Sequence, residues 1–504
     1  MRIWWHNGQL KYRAPKGALT QGELQLLKDD RECIKDAMAE LSCEQWIPAS
    51  ADCHRAPLAY TQLGHWNLYR LNDHASRRQL ASAVRMQGSL SIPALRKGLE
   101  AVIERHEALR TRIVRCGEVL AQEIATSAKC DFEFRDLTAL SEPMRAEEVQ
   151  ACIYRLILEP IDVTIGPLFG LRLLRVASNE HVMALAIEHI VSDGVSIGLF
   201  WNDLFAAYAQ AAKGCAVELP AVRVQFSDYA RAQWNTSGGL PARSGSYCDE
   251  HLRGSQRLRF PSDKNAIDSV GLSWGTVPIV IQADLKRELT DWSRRNRTTL
   301  VLTVFTAYAA LVLQWCDAAE GVFQYTVDGR VSPGIQHTIG YFASLLYLRI
   351  SLRERDSFRD FLDQVMKEYC FAQNNFDFSF LRAQIPRPEY TRNTIFNWIT
   401  TDVSQVDTVL DDRNGGMAIS TFEFKYPVVS DVKIDNEPSI IFFEKRNEIV
   451  GDLSFPTARF SIVTFEAFRD DFLRLLVTLC RRPDKKIKEI ALDRLARVGH
   501  RQRS

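Results

Sequence analysis

The 504-residue chain has no CxxC pair, no excess of either charge and no apolar run long enough to cross a bilayer. Each absence removes a class of explanation. Its 11 cysteines are scattered and odd in number, so neither a disulfide framework nor a zinc knuckle is expected. A reducing cytoplasm suits that pattern. Lys and Arg total 63 against 62 for Asp and Glu, which leaves no global electrostatic reason for a nucleic-acid partner. The segment Leu300–Trp315 is too short, and too interrupted by Thr303, Thr306 and Gln314, to be a membrane span. The N-terminus has no apolar h-region and does not read as a secretory signal. Glycine-rich phosphate loops and metal-ligand clusters are also missing, so no metal and no bound nucleotide is expected. What is present is ordinary globular composition, 46% hydrophobic and 25% charged, in a length that fits two large domains or three smaller ones.

Residues 1–41 read as a separate unit. Asn7-Gly8 between Ile3-Trp4-Trp5-His6 and Gln9–Arg13 predicts a β-hairpin, because both central positions of a type I′ turn need positive φ. Ala14–Gly17 breaks the pattern. Thr20 and Glu23 then form a capping box ahead of a helix with Leu24, Leu27, Ile34, Met38 and Leu41 on one stripe. Arg2, Lys11, Arg13 and Lys16 stand without any acid in residues 1–19, while the helix is acidic. A basic hairpin bearing Trp4, Trp5 and Tyr12 suits capture of an extended acidic, apolar peptide by strand addition. A hairpin that merely packs on the main body fits the same residues equally well.

Residues 42–56 read as a linker. From Pro57 onward helix and strand patterns mix, so the class is α/β (α+β two-layer). Residues 92–107 predict an amphipathic helix through Leu95, Leu99, Val102 and Ile103. Residues 168–176 and 181–187 predict strands. Val182–Ile187 is continuously apolar, as a strand buried on both faces requires. A helix is expected from Gly194. The Gly/Ser-rich stretch Asn235–Ser246 is a candidate crossover, after which the pattern restarts: strand 277–283, helices 285–295 and 299–315, and a strand near 322–327.

The sharpest feature is His189-Ile190-Val191-Ser192-Asp193-Gly194. A histidine between a buried strand and a helix N-terminus is well placed for proton transfer near neutrality, and Gly194 permits close backbone approach. The plainer reading is a helix capped by Asp193 or Ser192 beside a satisfied histidine. Gly271-Leu272-Ser273-Trp274-Gly275 matches the hydrolase G-x-S-x-G pattern. That pattern needs a helix after the serine, whereas a strand containing Pro278 is expected here.

Several segments, in order over residues 55–495, resemble the condensation domains of nonribosomal peptide synthetases, in the chloramphenicol-acetyltransferase-like superfamily. They are Leu58-Ala59-Tyr60-Thr61-Gln62 with Trp66, Arg105–Thr111 (RHEALRT), Gly166-Pro167-Leu168, Gln225–Tyr229, Gly329-Arg330, and Gly340-Tyr341-Phe342 with Leu348-Arg349. The resemblance implies two acetyltransferase-like lobes in a V-shaped pseudo-dimer with a tunnel between them. It implies lobes at 57–235 and 236–495, followed by a basic tail at 496–504. His189 aligns with the catalytic second histidine of the family's HHxxxDG. Asp193 aligns with its structural aspartate, and Arg330 with the arginine that pairs with it. Glu188 replaces the motif's first histidine, and a carboxylate there can raise the basicity of His189 or contact a substrate. Ser344 and Tyr347 stand where the family usually has Asn and Pro.

Residues 10–30 also resemble the β-hairpin docking domains of assembly-line synthases, which capture a short C-terminal motif of an upstream acyl or peptidyl carrier protein. The helix that usually precedes such a hairpin is missing. The resemblance assigns carrier docking to Trp4, Trp5, Lys11, Tyr12, Arg13 and Lys16. The implied reaction is transfer of an acyl chain from the carrier's phosphopantetheine thioester to a hydroxyl or amine of a small-molecule acceptor, with no bound cofactor. No adenylation, carrier or thioesterase segment is recognisable. The arrangement resembles the free-standing condensation enzyme of enacyloxin biosynthesis, which releases a polyketide chain as an ester. Competing expectations are a recruitment protein without chemistry, an epimerase of the same superfamily, and an acyltransferase using coenzyme A.

Overall fold

The apolar run Val182–Ile187 becomes the interior of a central strand, and its neighbours explain why it carries no polar alternation. The computed structural model describes residues 2–6, 9–13, 54–71, 79–116, 119–128, 130–236, 251–255, 257–263, 274–330, 332–374, 393–399, 408–410, 416–424 and 437–490. At the front, β1 (Arg2–His6) and β2 (Gln9–Arg13) pair antiparallel from Arg2↔Arg13 to His6↔Gln9, the register that a two-residue Asn7-Gly8 connection demands. The expected helix after it, with Lys16 and the capping box, lies outside the described residues. So do most of the 42–56 linker, most of the crossover at 235–246, and the 496–504 tail.

The first half contains β3 (Arg55–Pro57), α1 (Tyr60–Leu71), β4 (Gln79–Gln87), α2 (Ile92–Arg105), β5 (Thr111–Cys116), β6 (Val119–Ile124), β7 (Asp131–Asp136), α3 (Glu142–Leu158), β8 (Phe169–Ala177), β9 (Glu180–Glu188), α4 (Gly194–Ala212) and α5 (Phe226–Thr236). β9 lies between β4 and β8, antiparallel to both. Met183, Leu185 and Ile187 point to a core shared with α2 and α4. Val182, Ala184 and Ala186 point to a second core with Val149, Ile153 and Leu156 of α3. Helices on both faces thus demand apolar residues at both parities of the strand. The short strands β3, β6 and β5 form a separate three-stranded sheet.

The second half contains β10 (Trp274–Ile281), α6 (Ala283–Arg295), α7 (Leu300–Trp315), β11 (Glu320–Val327), β12 (Ser344–Ser351), α8 (Phe358–Asn374), β13 (Ile395–Ile399), β14 (Thr408–Leu410), β15 (Met417–Thr421), β16 (Ser439–Glu444), β17 (Ile449–Pro456) and α9 (Ile462–Arg481). Its six-stranded sheet runs β10-β17-β16-β13-β11-β12. α7 is apolar around its whole circumference because it is enclosed, with Leu302–Leu313 buried throughout. Thr299 caps it by accepting from the Leu302 amide at 3.1 Å. Residue 274 opens β10, so the G-x-S-x-G pattern leads into a strand and not the helix that a hydrolase elbow needs.

β14 and β15 leave the second half and extend the first sheet, which runs β14-β15-β4-β9-β8-β7. The two lobes are therefore interleaved in the chain and not divided at one point. A small apolar cluster joins them as well: Ala59 and Phe226 from the first half meet Ile335 and Phe342 from the second. Among the described residues no single helix is long and apolar enough to cross a membrane.

Candidate active site

β9 ends at Glu188, and His189–Val191 form a single tight turn before α4 begins at Gly194. His189 is held in that turn by its own loop: Nδ1 lies 2.8 Å from the Ser192 carbonyl oxygen. A carbonyl only accepts, so Nδ1 carries the hydrogen, and the neutral ring keeps its lone pair on Nε2. Ser192 is fixed in turn by donating from Oγ to the Glu188 carbonyl at 3.0 Å. His189 lies deep among protein atoms, although the residue as a whole keeps intermediate exposure. Burial, reinforced by the neighbouring His65 imidazole, pushes its pKa down to about 4. The ring is therefore neutral, and able to accept a proton, throughout the physiological range.

Asp193 caps α4, accepting from the Ser196 amide at 2.9 Å, as the plainer sequence reading expects. It also does more. Arg330 Nη1 lies 2.7 Å from Oδ2, and Nη2 lies 2.9 Å from Oδ1. The Phe342 amide donates to Oδ2 at 3.0 Å, and the Arg330 guanidinium lies 4.4 Å over the Phe342 ring. Burial raises the Asp193 pKa, but the Arg330 charge and the hydrogen bonds outweigh it, so the carboxyl is held below its ordinary value. This bidentate pair is fully buried and spans the two halves. Gly329 beside it has no room for a side chain, because a Cβ would meet the Phe342 carbonyl oxygen at 2.1 Å.

The other motif segments surround this lock. Gln225 donates to the Arg105 carbonyl at 2.9 Å and accepts from the Glu107 amide at 3.2 Å. Ser227 bonds Glu107 at 2.5 Å. Gln62 of α1 reaches the Ile190 carbonyl at 2.9 Å, and Thr61 reaches the Tyr341 carbonyl at 2.7 Å. The Ser344 hydroxyl donates to the Phe342 carbonyl at 3.1 Å, while Tyr347 packs on Leu252 and Val322.

Glu188 is wholly buried, so it offers no surface to a substrate. Between it and His189 stands His65 of α1, a residue that no sequence motif singles out. The His65 ring lies 5.6 Å from that of His189, and its Nε2 lies 3.7 Å from Glu188 Oε1. Tyr341 stands against His189 from the second half, ring centroids 4.5 Å apart. Trp4, Trp5, Lys11, Tyr12 and Arg13, for which the sequence resemblance implied docking, fall on the β1–β2 hairpin, where Trp4 pairs with Lys11 and Trp5 with Leu10.

Residues 53–494 match the Condensation domain family. The chain belongs to that family. A linear gramicidin synthase of Brevibacillus parabrevis is 28% identical over 460 residues, which are 89% of this chain and 9% of that protein. The chain thus spans less than a tenth of this relative's length. Among solved structures, the X-domain from teicoplanin biosynthesis, in complex with OxyB, superposes with a TM-score of 0.73 at 20% identity, covering 88% of this chain and 97% of the other. SgcC5 from Streptomyces globisporus, in complex with (R)-(-)-1-(2-naphthyl)-1,2-ethanediol and sucrose, gives 0.70 at 22% identity, covering 85% and 100%. The fold of this condensation domain is accordingly the pair of acetyltransferase-like lobes that its sequence implied.

Proposed function

We propose that this condensation domain transfers an acyl chain from a carrier-protein phosphopantetheine thioester to a hydroxyl or amine of a small-molecule acceptor. The setting is chain release in polyketide or nonribosomal peptide biosynthesis. The observation that carries the reading is His189, neutral, fixed through Nδ1, with Nε2 as its proton acceptor at the junction of two lobes. The acceptor's O–H or N–H attacks the thioester carbonyl while its proton passes to Nε2. The C–S bond then breaks, and the proton returns to the departing sulfur. A hydroxyl needs this base during attack, whereas an amine needs only its neutral form. Holding two large reactants together supplies much of the remaining rate. Asp193 and Arg330 keep the His189 turn in place and take no proton. The β1–β2 hairpin, with Lys16 beyond it, receives the carrier's C-terminal motif. The diol held by SgcC5 supports a hydroxyl acceptor.

A second reading, carrier recruitment without chemistry, has one observation in its favour: the X-domain neighbour is seen holding a partner protein, OxyB. The test is acyl release from a loaded carrier, followed by intact-protein mass spectrometry against a panel of amines and alcohols. The transferase reading expects acyl loss with a matching ester or amide. It also expects deletion of residues 1–41 to lower efficiency only with the cognate carrier. Binding of the acylated carrier with no acyl loss across the panel favours recruitment.

A further inference from the structure

Four consecutive residues ahead of β12 are tied by their backbone to the first half of the chain. The Gly340 amide donates to Ser196 Oγ at 3.1 Å. The Tyr341 carbonyl accepts from the Thr61 hydroxyl at 2.7 Å. The Phe342 and Ala343 amides donate to Asp193 Oδ2 at 3.0 and 3.3 Å. Gly340 leaves no latitude, since a Cβ there would meet the Phe226 ring at 2.2 Å. Backbone tethered this closely fixes where residue 341 stands, and the side chain it carries is set against the candidate base. The Tyr341 ring centroid lies 4.5 Å from that of His189, the planes tilted by 52°, within the range of a direct aromatic contact. The same ring meets His65 edge-on at 5.7 Å and packs on the apolar cluster that joins the two halves. Tyr341 thus stands as a buttress between that cluster and His189. The imidazole needs one. Its Nδ1 bond to the Ser192 carbonyl holds one side of the ring, but χ2 of a histidine lies in a broad well, and a hydrogen bond tolerates considerable bending. Nε2, on the far side of the ring, swings unless a neighbour fixes the plane.

We propose that Tyr341 is a positioning residue for His189: its ring, delivered from the second half, fixes the plane of the imidazole and so aims Nε2 at the nucleophile's proton. The proposal rests on His189 being the base, and the experiment separates the two. A hydroxyl needs the base during attack, whereas an amine needs only its neutral form. Loss of aim therefore slows ester formation and spares amide formation, while general damage to the fold slows both. Single-turnover transfer from an acyl-loaded carrier to an alcohol and to an amine of similar size is measured for the wild type, Tyr341→Phe, Tyr341→Leu and His189→Ala, at saturating acceptor. In Tyr341→Leu the flat ring is gone. The expected result is an alcohol rate lowered by about 10- to 100-fold, as for a small misplacement of a reacting group, with the amine rate changed less than about threefold. Tyr341→Phe keeps the ring, and its alcohol rate is expected to stay within about threefold of the wild type.

If Tyr341→Leu transfers to the alcohol at the wild-type rate, or slows alcohol and amine equally, the positioning role is overturned while the base reading stands. Tyr341→Phe losing as much as Tyr341→Leu overturns it too. If His189→Ala transfers to the alcohol as fast as the wild type, the base reading falls first. Should Tyr341→Leu fail to fold, or the wild type use one class of acceptor alone, NMR relaxation of the His189 ring in histidine-labelled wild-type protein gives the answer. The ring is expected to be as rigid as folded backbone, with an order parameter of about 0.85, and a value below about 0.6 overturns the proposal.

Discussion

Asp193 and His189 lie within one short stretch of chain, and they are held differently. Asp193 and Arg330 meet through two hydrogen bonds of 2.7 and 2.9 Å, and Ser196, Phe342 and Thr338 also contribute bonds. The His189 ring is tied more lightly, by Nδ1 to the Ser192 carbonyl oxygen at 2.8 Å. The Asp193–Arg330 pair is surrounded by hydrogen-bonding partners and behaves as architecture. His189 is neutral and presents Nε2 as a proton acceptor. Neighbouring residues of one motif therefore serve two ends, rigidity at Asp193 and proton acceptance at His189.

The largest effect is expected where the lock is broken. Asp193→Ala strands a buried guanidinium, which costs about 3–5 kcal/mol. The midpoint of thermal or denaturant unfolding should fall sharply, and a wild-type midpoint would dissolve the distinction. Gly329→Ala acts on the same lock without touching charge. Its Cβ is aimed at the Phe342 carbonyl oxygen, and overpacking of this kind costs about 1–3 kcal/mol, visible as a smaller drop in the same midpoint.

Acidification tests His189. The His189 pKa is lowered to about 4, first by burial, so its base form is complete at neutrality. Single-turnover transfer should be flat from pH 6 to 8 and decline only as pH approaches 4. Because the unfolded ring binds its proton near 6.5 and the folded ring does not, this group's contribution to stability is lost as pH falls from 6.5 towards 4. A transfer rate already halved at pH 6.5 would contradict the lowered basicity. The smallest effect is expected at an exposed pair. Arg287 and Asp284 are 75% and 84% exposed, and Arg287→Ala should move the unfolding midpoint by less than about 1 kcal/mol.

Much of this site is legible in the sequence because its parts are contiguous. Val182–Ile187 has no polar alternation, and β9 has cores on both faces. Asp193 precedes the first turn of α4, and a carboxylate at that position caps it. The Asp193–Arg330 pairing, 137 residues apart in the chain, is legible only through the family resemblance. His65 escapes a sequence reading because its partners are far away along the chain. Within the segment from Leu58 to Trp66, only its spacing from Thr61 and Gln62 marks it, and that spacing has meaning only once Gln62 is seen to bond the active-site turn and Thr61 the Tyr341 carbonyl. The placement of β14 and β15 in the first sheet is equally invisible, since a three- or five-residue strand takes its identity from the edge it pairs with.

The central claim is that His189 is the proton acceptor in acyl transfer and that the lock beside it is structural. It is tested most directly by intact-protein mass spectrometry of an acyl-loaded carrier, comparing the wild type with His189→Ala at matched folded concentration and pH 7.5. The account predicts that the variant keeps the wild-type unfolding midpoint and still binds the carrier, while its transfer rate to an alcohol acceptor falls by about 10²–10⁴-fold. Equal rates in a folded variant would contradict it.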